Sequence, residues 1–393
     1  MGYGGGGGGG GGSGGSGGSG GAGGGGGYTT VGGGSAFGGS DDFELPSYNQ
    51  APAGSIRFNT DSKKLEVYIL GPVDDGVTPN GIWMEVDSWS PDLMTGGTRG
   101  VFGGGGSPSS ETEIIDYVNI STTGNPIDFG DLSTAVGFLA SASSRTRGVF
   151  AGGYNAPTFI NTIEFVTISS TGNPVNFGDL TLKRGKYSGS SNSTRGLFFG
   201  GHSPAFNNLI DFITIASTGN AVDFGEITNN KLYTSATSSS TRSVIFGGMT
   251  PDRLNKIDFV TISTQGFAAD FGDIIGTNSA SSACSNSTRA LMVGGTGTTP
   301  SPATNAIQYI TISTLGNAVD FGDLTVARNA IASVSSSTRG VHAGGRDGST
   351  NYNDIDYNQL MSLGNSVDFG DRGRGNTRAS SASAGCSNGH GGL

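Results

Sequence analysis

The sequence predicts an all-β fold, a β-propeller of six blades, and three repeated motifs support this prediction. The first motif is a Thr-Arg pair that runs into an apolar stretch and a glycine pair, as in TRGVFGGG from Thr98. The second is an alternating run such as IDYVNIS from Ile115, and the third is DFGD, first seen at Asp128. All three motifs occur six times in the same order. A repeat of about 40 to 50 residues with four short β segments is typical of a propeller blade.

The arginine of the first motif sets the period of the repeat. The six copies are Arg99, Arg147, Arg195, Arg242, Arg289 and Arg339. Each unit offers four candidate strands: the apolar run before the glycine pair, the alternating run, the DFGD segment, and a Ser/Ala-rich run such as Ala140–Ser144. No unit shows helical periodicity, so every segment is interpreted as β structure.

The glycine pair suggests which strand lies nearest the propeller axis. Backbones converge there, and glycine allows a close approach that a side chain would prevent. We therefore expect the strand that ends in the glycine pair to be the innermost one. The apolar residues before the pair are expected to pack between neighbouring blades.

Each unit also carries an acid at the end of its DFGD-like motif. These acids are Asp131, Asp179, Glu226, Asp273, Asp323 and Asp371. The simplest expectation is an ion pair between each repeat arginine and one of these carboxylates, a contact that favours one register over another. The competing hypothesis is that the arginines form a rim that binds an acidic sugar.

The region before the repeats has a different composition. Residues 1–50 begin with a segment in which 26 of the first 40 residues are glycine, which predicts a flexible arm; the alternative is polyglycine helices that pack in an assembly. Residues 51–97 predict a small meander with strands at Ser55–Asn59, Leu65–Leu70 and Ile82–Val86. The propeller then occupies residues 98–393. The alternative to six blades is that the meander completes a seventh.

Charge and sequence patterns exclude several classes of function. The net charge is −10, and neither half of the chain carries the basic face that nucleic-acid binding requires. The chain shows neither a signal-peptide pattern nor a long apolar run, so we expect synthesis in a cytoplasm without membrane insertion.

Two cysteines, Cys284 and Cys386, occupy the same register in units two apart. That separation is too large for a disulfide, so both are expected to be free thiols. The same register argument places the chain end near Thr98, where it would close the ring by contact and not by a covalent bond.

Catalytic and metal-binding chemistry is not expected. The histidines, His202, His342 and His390, each occupy a different register position and lack ligand spacing. The arginines are equivalent, one per unit, which favours a structural role over a single catalytic cleft. We therefore predict no enzyme activity and no cofactor.

The segments that follow the glycine pairs differ freely between units, and variable loops on a rigid scaffold are where binding specificity usually lies. Aromatic rings in these loops are suited to stacking on sugars. The candidate ligand-binding residues are Tyr154, Phe159, His202, Phe206 and Tyr352. The alternative is that these loops are solvated and only tolerate variation.

The motif order resembles the kelch propeller repeat, although the tryptophan usual in kelch blades is absent. Units such as ITISTLGNAVDFGDLTVARNAIASVSSSTRGVHAGG from Ile310 are more similar to kelch-like repeats in structural proteins of tailed phages, especially marine phages of cyanobacteria. This resemblance covers Thr98 to about Ser387. The segment PAGSIRFNTDSKKLEVYI also resembles a short β module near the attachment ends of phage fibre and virion proteins.

The resemblance implies a virion component: a fibre, tail or capsid-decoration protein. Its N-terminal region would bind other virion proteins, and its propeller would bind a host-surface polysaccharide or a protein, with self-association left open. Two alternatives come from other classes. One is a glycan-processing enzyme on a propeller scaffold, and the other is a cytoplasmic protein-interaction scaffold of the kelch type.

Overall fold

The computed structural model describes residues 54–59, 64–70, 81–85, 98–106, 110–297, 303–348, 350–372 and 382–393. The chain divides into two compact units, Met1–Trp89 and Ser90–Leu393. The predicted flexible arm, residues 1–50, lies outside the described residues.

The first unit contains a three-stranded antiparallel sheet in the order β1-β2-β3. Its strands are β1 (Ile56–Asn59), β2 (Lys64–Leu70) and β3 (Gly81–Glu85). Tyr68 is buried, with its ring 5.2 Å from that of Trp83. Arg57 lies over the same indole and bonds to Glu66 at 2.7 Å. The predicted meander is therefore present as a sheet of its own, and the seven-blade alternative is wrong.

The second unit is a β-propeller of six blades, as predicted. In chain order its strands are β4 (Arg99–Gly103), β5 (Ile114–Asn119), β6 (Ile127–Asp131), β7 (Ala140–Ser143), β8 (Arg147–Asn155), β9 (Thr158–Thr167), β10 (Val175–Asp179), β11 (Ser188–Ser191), β12 (Arg195–His202), β13 (Phe206–Thr214), β14 (Val222–Glu226), β15 (Ser235–Ser238), β16 (Arg242–Phe246), β17 (Met249–Thr250), β18 (Asp252–Thr261), β19 (Ala269–Asn278), β20 (Ser282–Ser285), β21 (Arg289–Val293), β22 (Ala306–Thr311), β23 (Val319–Asp323), β24 (Ala332–Ser335), β25 (Arg339–Ala343), β26 (Asp354–Gln359), β27 (Val367–Asp371) and β28 (Ala384–Ser387).

Blade 1 has the strand order β28-β4-β5-β6, and blades 2 to 6 begin at β7, β11, β15, β20 and β24. In blade 4 the short β17 pairs with the start of β18.

The innermost strand of each blade is the Ser/Ala-rich run, and not the strand that ends in the glycine pair. Strands β7, β11, β15, β20, β24 and β28 contact one another around the axis. Their small side chains permit this convergence. The strand with the glycine pair is second from the axis, so the expectation that it would be innermost is wrong.

The glycine pair lies where the chain leaves this second strand. Gly104 and Gly105 have φ angles of 62° and 111°, in the region that favours glycine. A Cβ at Gly104 would lie 2.5 Å from the Val136 carbonyl oxygen, which belongs to the segment leading into blade 2. The pair therefore permits a left-handed turn and a close contact with the next blade.

The last strand of the chain closes the ring. β28 pairs with β4 in register from Ala384 opposite Gly103 to Ser387 opposite Gly100. The Arg99 amide donates to Asn388 Oδ1 at 2.8 Å. The predicted position of the chain end near Thr98 is confirmed. Cys284 and Cys386 are both free and buried, as predicted.

A continuous ring of serine hydroxyls joins the six innermost strands. Each hydroxyl donates to the carbonyl of the matching serine in the preceding blade, at 2.6–2.9 Å. The donors, in chain order, are Ser143, Ser191, Ser238, Ser285, Ser335 and Ser387. The bond from Ser143 to Ser387 completes the ring. The repeated serine therefore has a structural reason: it satisfies backbone carbonyls that face the axis.

The two faces of the propeller differ. The face that we call the loop face carries the hairpins that join the second and third strands of each blade, such as 155–158. It also carries the segments that lead into the innermost strands. The turn face carries the repeat arginines and the start of the propeller at Thr98. Because the four strands of a blade are antiparallel, these two sets of connections lie at opposite ends of each sheet.

Candidate functional site

The repeat arginines on the turn face join neighbouring blades. The Arg99 guanidinium lies 4.2 Å from the centre of the Tyr117 ring and donates to the Ile168 carbonyl of blade 2 at 2.9 Å. The other five lie over Phe165, Phe212, Phe259, Tyr309 and Tyr357 and donate to the carbonyls of Ile215, Ile262, Ile312, Leu360 and Ile120. A guanidinium held this way has a structural role.

The expected ion pairs between these arginines and the DFGD acids are wrong for the described residues. The backbone N–H of Asp131 instead donates to Asn173 Oδ1 of the next blade, at 3.0 Å. Equivalent bonds recur at Asp179, Asp273, Asp323 and Asp371. In the part of the chain that the structure describes, one of these acids forms an ion pair: Asp273 with Lys256, at 3.0 Å.

Buried ion pairs exist elsewhere, between a cation in the segment before an innermost strand and the acid of the alternating run. In blades 3, 4 and 6 they are Arg184–Asp211, Lys231–Asp258 and Arg328–Asp356, at 3.0, 2.7 and 2.8 Å, and in blade 1 a longer contact of 3.7 Å joins Arg372 and Asp116. In blade 5 both positions are uncharged, Asn278 and Gln308. Blade 2 has Val136 at the cation position and keeps a buried acid, Glu164, whose carboxylate accepts from the Ser133 N–H at 3.3 Å.

His342 occupies the blade 6 position where Phe102 stands in blade 1, and it is fully buried. Its ring nitrogens lie 2.9 Å from Ser333 Oγ and 3.2 Å from Asn358 Oδ1. Burial, with a smaller effect from Arg328, lowers the pKa of His342 to about 3. The ring is neutral in the folded protein.

This pKa makes the propeller sensitive to acid. The unfolded chain takes up the proton near pH 6.5 and the folded chain only near pH 3, so stability is intact above pH 6.5 and falls below it. We expect a loss of about 2–3 kcal/mol between pH 6.5 and pH 4.5 from this residue alone. The double variant His342→Phe/Asn358→Val, which copies blade 1, keeps His390 and should therefore lose about 2–3 kcal/mol less than the wild type over this pH range. Urea unfolding at both pH values measures it, and an equal loss in the variant would contradict it.

Four of the five candidate ligand-binding residues lie together on the loop face. The ring centres of Tyr154 and Phe159 are 5.2 Å apart, those of Phe159 and His202 5.4 Å, and those of His202 and Phe206 5.8 Å. We call these four side chains the aromatic row. They come from the β8–β9 and β12–β13 hairpins of blades 2 and 3, and each is half-buried. Tyr352 lies apart from the row, and its hydroxyl donates to Asp347 at 2.7 Å.

The imidazole in the row is neutral at pH 7. Burial, and then the charge of Lys186, lower the pKa of His202 below its usual range. Within the described residues its buried Nδ1 has no hydrogen-bond partner. The row therefore offers three carbocyclic rings and one uncharged imidazole, a surface suited to stacking and hydrogen bonding with an uncharged part of a ligand.

A second ring of hydrogen bonds surrounds the axis at the loop face. Six residues, one before each innermost strand, have φ of 52–62°, and each N–H donates to the carbonyl of the one before it at 2.7–2.9 Å. They are Phe138, Lys186, Tyr233, Ala280, Ala330 and Ala382. The bond from Phe138 to Ala382 completes the ring.

Three large side chains of this ring form what we call the mouth cluster: Phe138, Lys186 and Tyr233. The two aromatic rings are 5.9 Å apart, and the Lys186 Nζ lies 5.7 and 5.6 Å from their centres. Sequence reasoning missed these residues because they precede a strand and share no motif. The signal was present: at this register position three consecutive units carry large side chains and three carry alanine.

The opposite end of the axial channel is occupied by the last residues of the chain. Gly391 N donates to the Ser285 carbonyl at 3.0 Å, and His390 Nε2 lies 3.2 Å from the Ser143 carbonyl. Burial lowers the pKa of His390 to about 4. A cavity of about 250 Å³ adjoins this tail, lined by polar residues that include Thr98, Arg145 and Asn286.

Fold and site together define a six-bladed β-propeller with an aromatic surface on one face. Comparison with protein-family models and with curated proteins gave no match. Among the residues that the structure describes, no cluster of three or more His, Cys, Asp or Glu side chains is placed to hold a metal ion. None of the described segments is a helix with the length and apolarity that a membrane span requires.

Proposed function

We propose that this protein is a non-enzymatic structural component of a phage particle that binds a host-surface glycan through the loop face of its propeller. The aromatic row is the observation that carries the binding part of the proposal. Sugars present apolar C–H faces that stack on aromatic rings, and Tyr154, Phe159 and Phe206 offer such rings on two adjoining hairpins. The virion part rests on the resemblance of the repeats and of the β module to phage structural proteins.

The position of the chain's entry into the propeller supports display of this face. The first propeller strand begins at Arg99 on the turn face, opposite the aromatic row. The chain therefore enters the propeller on the face opposite the row. The repeat arginines, each held over an aromatic ring, leave the row as the better candidate for ligand binding.

The double variant Phe159→Ala/Phe206→Ala should bind host cells at least tenfold more weakly, because stacking on two rings is lost while the blade strands remain paired. Labelled propeller and flow cytometry measure this binding, with near-ultraviolet circular dichroism as a check of folding. Tyr352→Ala, in the corresponding loop of blade 6, is the matched control and should bind like the wild type.

Periodate treatment of the cells oxidises sugars and should abolish binding to the wild-type propeller. Binding that resists periodate but is lost after protease treatment would contradict a glycan ligand and favour a protein receptor. Failure of an antibody against the propeller to label purified particles would contradict the virion role.

A further inference from the structure

We propose that the mouth cluster binds an anionic sugar residue, whose carboxylate or sulfate group pairs with Lys186 while its ring stacks against Phe138 or Tyr233. This inference rests on the proposed function and adds the chemical class of the ligand. Its basis is a comparison of the six equivalent positions around the axis.

The backbone at these positions is unfavourable for large side chains. A left-handed conformation is uncommon for residues other than glycine, and a bulky residue there is an outlier that often marks a functional site. Phe138 and Tyr233 have φ of 55° and 56°, whereas alanine meets the same requirement in blades 5, 6 and 1. The ring of hydrogen bonds does not require an aromatic side chain, so the two rings have another role.

The three large residues adjoin the aromatic row. They lead into blades 2, 3 and 4, and the row lies on the hairpins of blades 2 and 3. Lys186 links the two groups, because its neighbour Gly185 pairs with His202, whose backbone N–H donates to the Gly185 carbonyl at 3.0 Å. One ligand could therefore contact both the row and the mouth cluster.

The ammonium group of Lys186 is available to a ligand. Arg184, Lys231 and Arg328 on the equivalent segments are each paired with a buried aspartate. Among the described residues, Lys186 has neither a carboxylate partner nor a hydrogen-bond acceptor for its Nζ, and its side chain is half-buried. The two aromatic faces position the ammonium group through cation–π attraction and leave its N–H groups free for an anion.

The other three residues of this hydrogen-bond ring leave space at the axis. Ala280, Ala330 and Ala382 present only methyl groups, and a channel cavity of about 100 Å³ begins just inside them. Hydroxyl pairs line this cavity, among them Ser188 with Thr234 and Ser235 with Ser281, each at 2.8 Å. The volume corresponds to roughly three water molecules, so it fits a substituent of a sugar and not a whole ring.

A single cation between aromatic rings fits a sugar with one charge better than a nucleic acid. Nucleic-acid binding requires a track of cations along the phosphates, whereas this chain has a net charge of −10. Carboxylated and sulfated sugars share the chemistry that Lys186 would recognise. The probes below distinguish them.

The test uses the full chain and sugars that differ only at the primary carbon: methyl glucuronide and methyl galacturonide, the neutral parent glycosides, and the parents sulfated on the primary hydroxyl. Saturation-transfer NMR titrations give their affinities. We expect at least one anionic class to bind about 3- to 5-fold more tightly than the neutral parents, the effect expected of one solvent-accessible ion pair. Selectivity for uronides would assign a carboxylate, and selectivity for the sulfated parents a sulfate.

Lys186→Met should reduce this ratio to about 1, because methionine keeps the apolar stem but not the charge. Lys183→Met, on the same segment with an exposed side chain, is the matched control and should retain the wild-type ratio. In protein with isotope-labelled lysine, the signal that disappears in Lys186→Met should be the one that shifts when the preferred anionic sugar is added.

Equal binding of charged and neutral sugars, or selectivity that persists in Lys186→Met, would overturn the inference. Binding of none of the probes at millimolar concentration would also overturn it. The host-cell assay with the Phe159→Ala/Phe206→Ala variant decides the proposed function separately, so the two can fail independently.

Discussion

Deletion of residues 384–393 should abolish cooperative folding of the propeller. The inner edge of β4 would lose its partner, and the core between blades 1 and 2 would lose Ala384 and Cys386, which pack with Val101. The serine ring would also lose its Ser387 donor. We expect a destabilisation of more than about 5 kcal/mol, which is comparable to the whole stability of an ordinary domain. Urea unfolding followed by circular dichroism measures it.

A shorter deletion provides the control. Removal of residues 389–393 keeps β28 in place, so this variant should remain folded, and only the turn-face end of its axial channel should change. A synthetic peptide of residues 382–393 should restore cooperative unfolding to the longer deletion by pairing with β4. An unfolding midpoint near that of the wild type in the longer deletion would contradict closure by this strand.

Arg184→Ala should destabilise the propeller by about 3–5 kcal/mol, the range for removing one partner of a buried ion pair. Both side chains of the Arg184–Asp211 pair are almost fully buried. The variant would leave Asp211 with the Thr181 hydroxyl, at 2.6 Å, but without a countercharge. The unfolding midpoint in urea measures the loss, and Lys183→Ala, an exposed lysine one residue earlier, is the control.

A second variant separates the loss of the pair from the loss of packing. The double substitution Arg184→Asn/Asp211→Gln copies blade 5, where Asn278 and Gln308 occupy the same positions and Gln308 bonds to the backbone of Ile275. It should be less than half as destabilising as Arg184→Ala. If the double variant is the less stable of the two, the unpaired charge of Asp211 is not the reason that Arg184→Ala destabilises the propeller.

Much of the fold could be predicted because each blade repeats the same local rules. The alternation in runs such as IDFVTIS marks the third strand, and the Phe of DFGD marks the fourth. In the folded protein these strands meet as ring pairs such as Phe259 and Phe271, 5.9 Å apart in a T-shaped arrangement. A pattern that recurs six times averages out local exceptions, so the number of blades followed from the sequence.

The order of strands from the axis could not be read from the same pattern. Glycine at a crowded position and glycine at a left-handed turn look alike in a sequence, and at Gly104 and Gly105 the second reason applies. The expected ion pairs between the repeat arginines and the DFGD acids were wrong for a related reason. One guanidinium can be satisfied by a carboxylate, or by a ring and a carbonyl, and the choice depends on which segment of the next blade lies opposite Arg99.

The candidate site was predicted in part. Variable loops and aromatic residues were sufficient to select Tyr154, Phe159, His202 and Phe206, which the structure places side by side. Tyr352 fits the same criteria but lies in a loop of blade 6. The mouth cluster forms because six backbone segments meet at the axis, and no local sequence pattern predicts that contact.

Closure of blade 1 by the last strand has a consequence during synthesis. The ribosome makes Arg99–Gly103 about 280 residues before Ala384–Ser387, an interval of roughly 15–60 s at typical elongation rates. During that time β4 presents an unpaired edge, the kind of surface on which nascent chains associate wrongly. Neighbouring copies on one polysome each carry a free edge and, later, a free closing strand. Exchange of these strands between copies would give a linked dimer whose yield rises with expression rate.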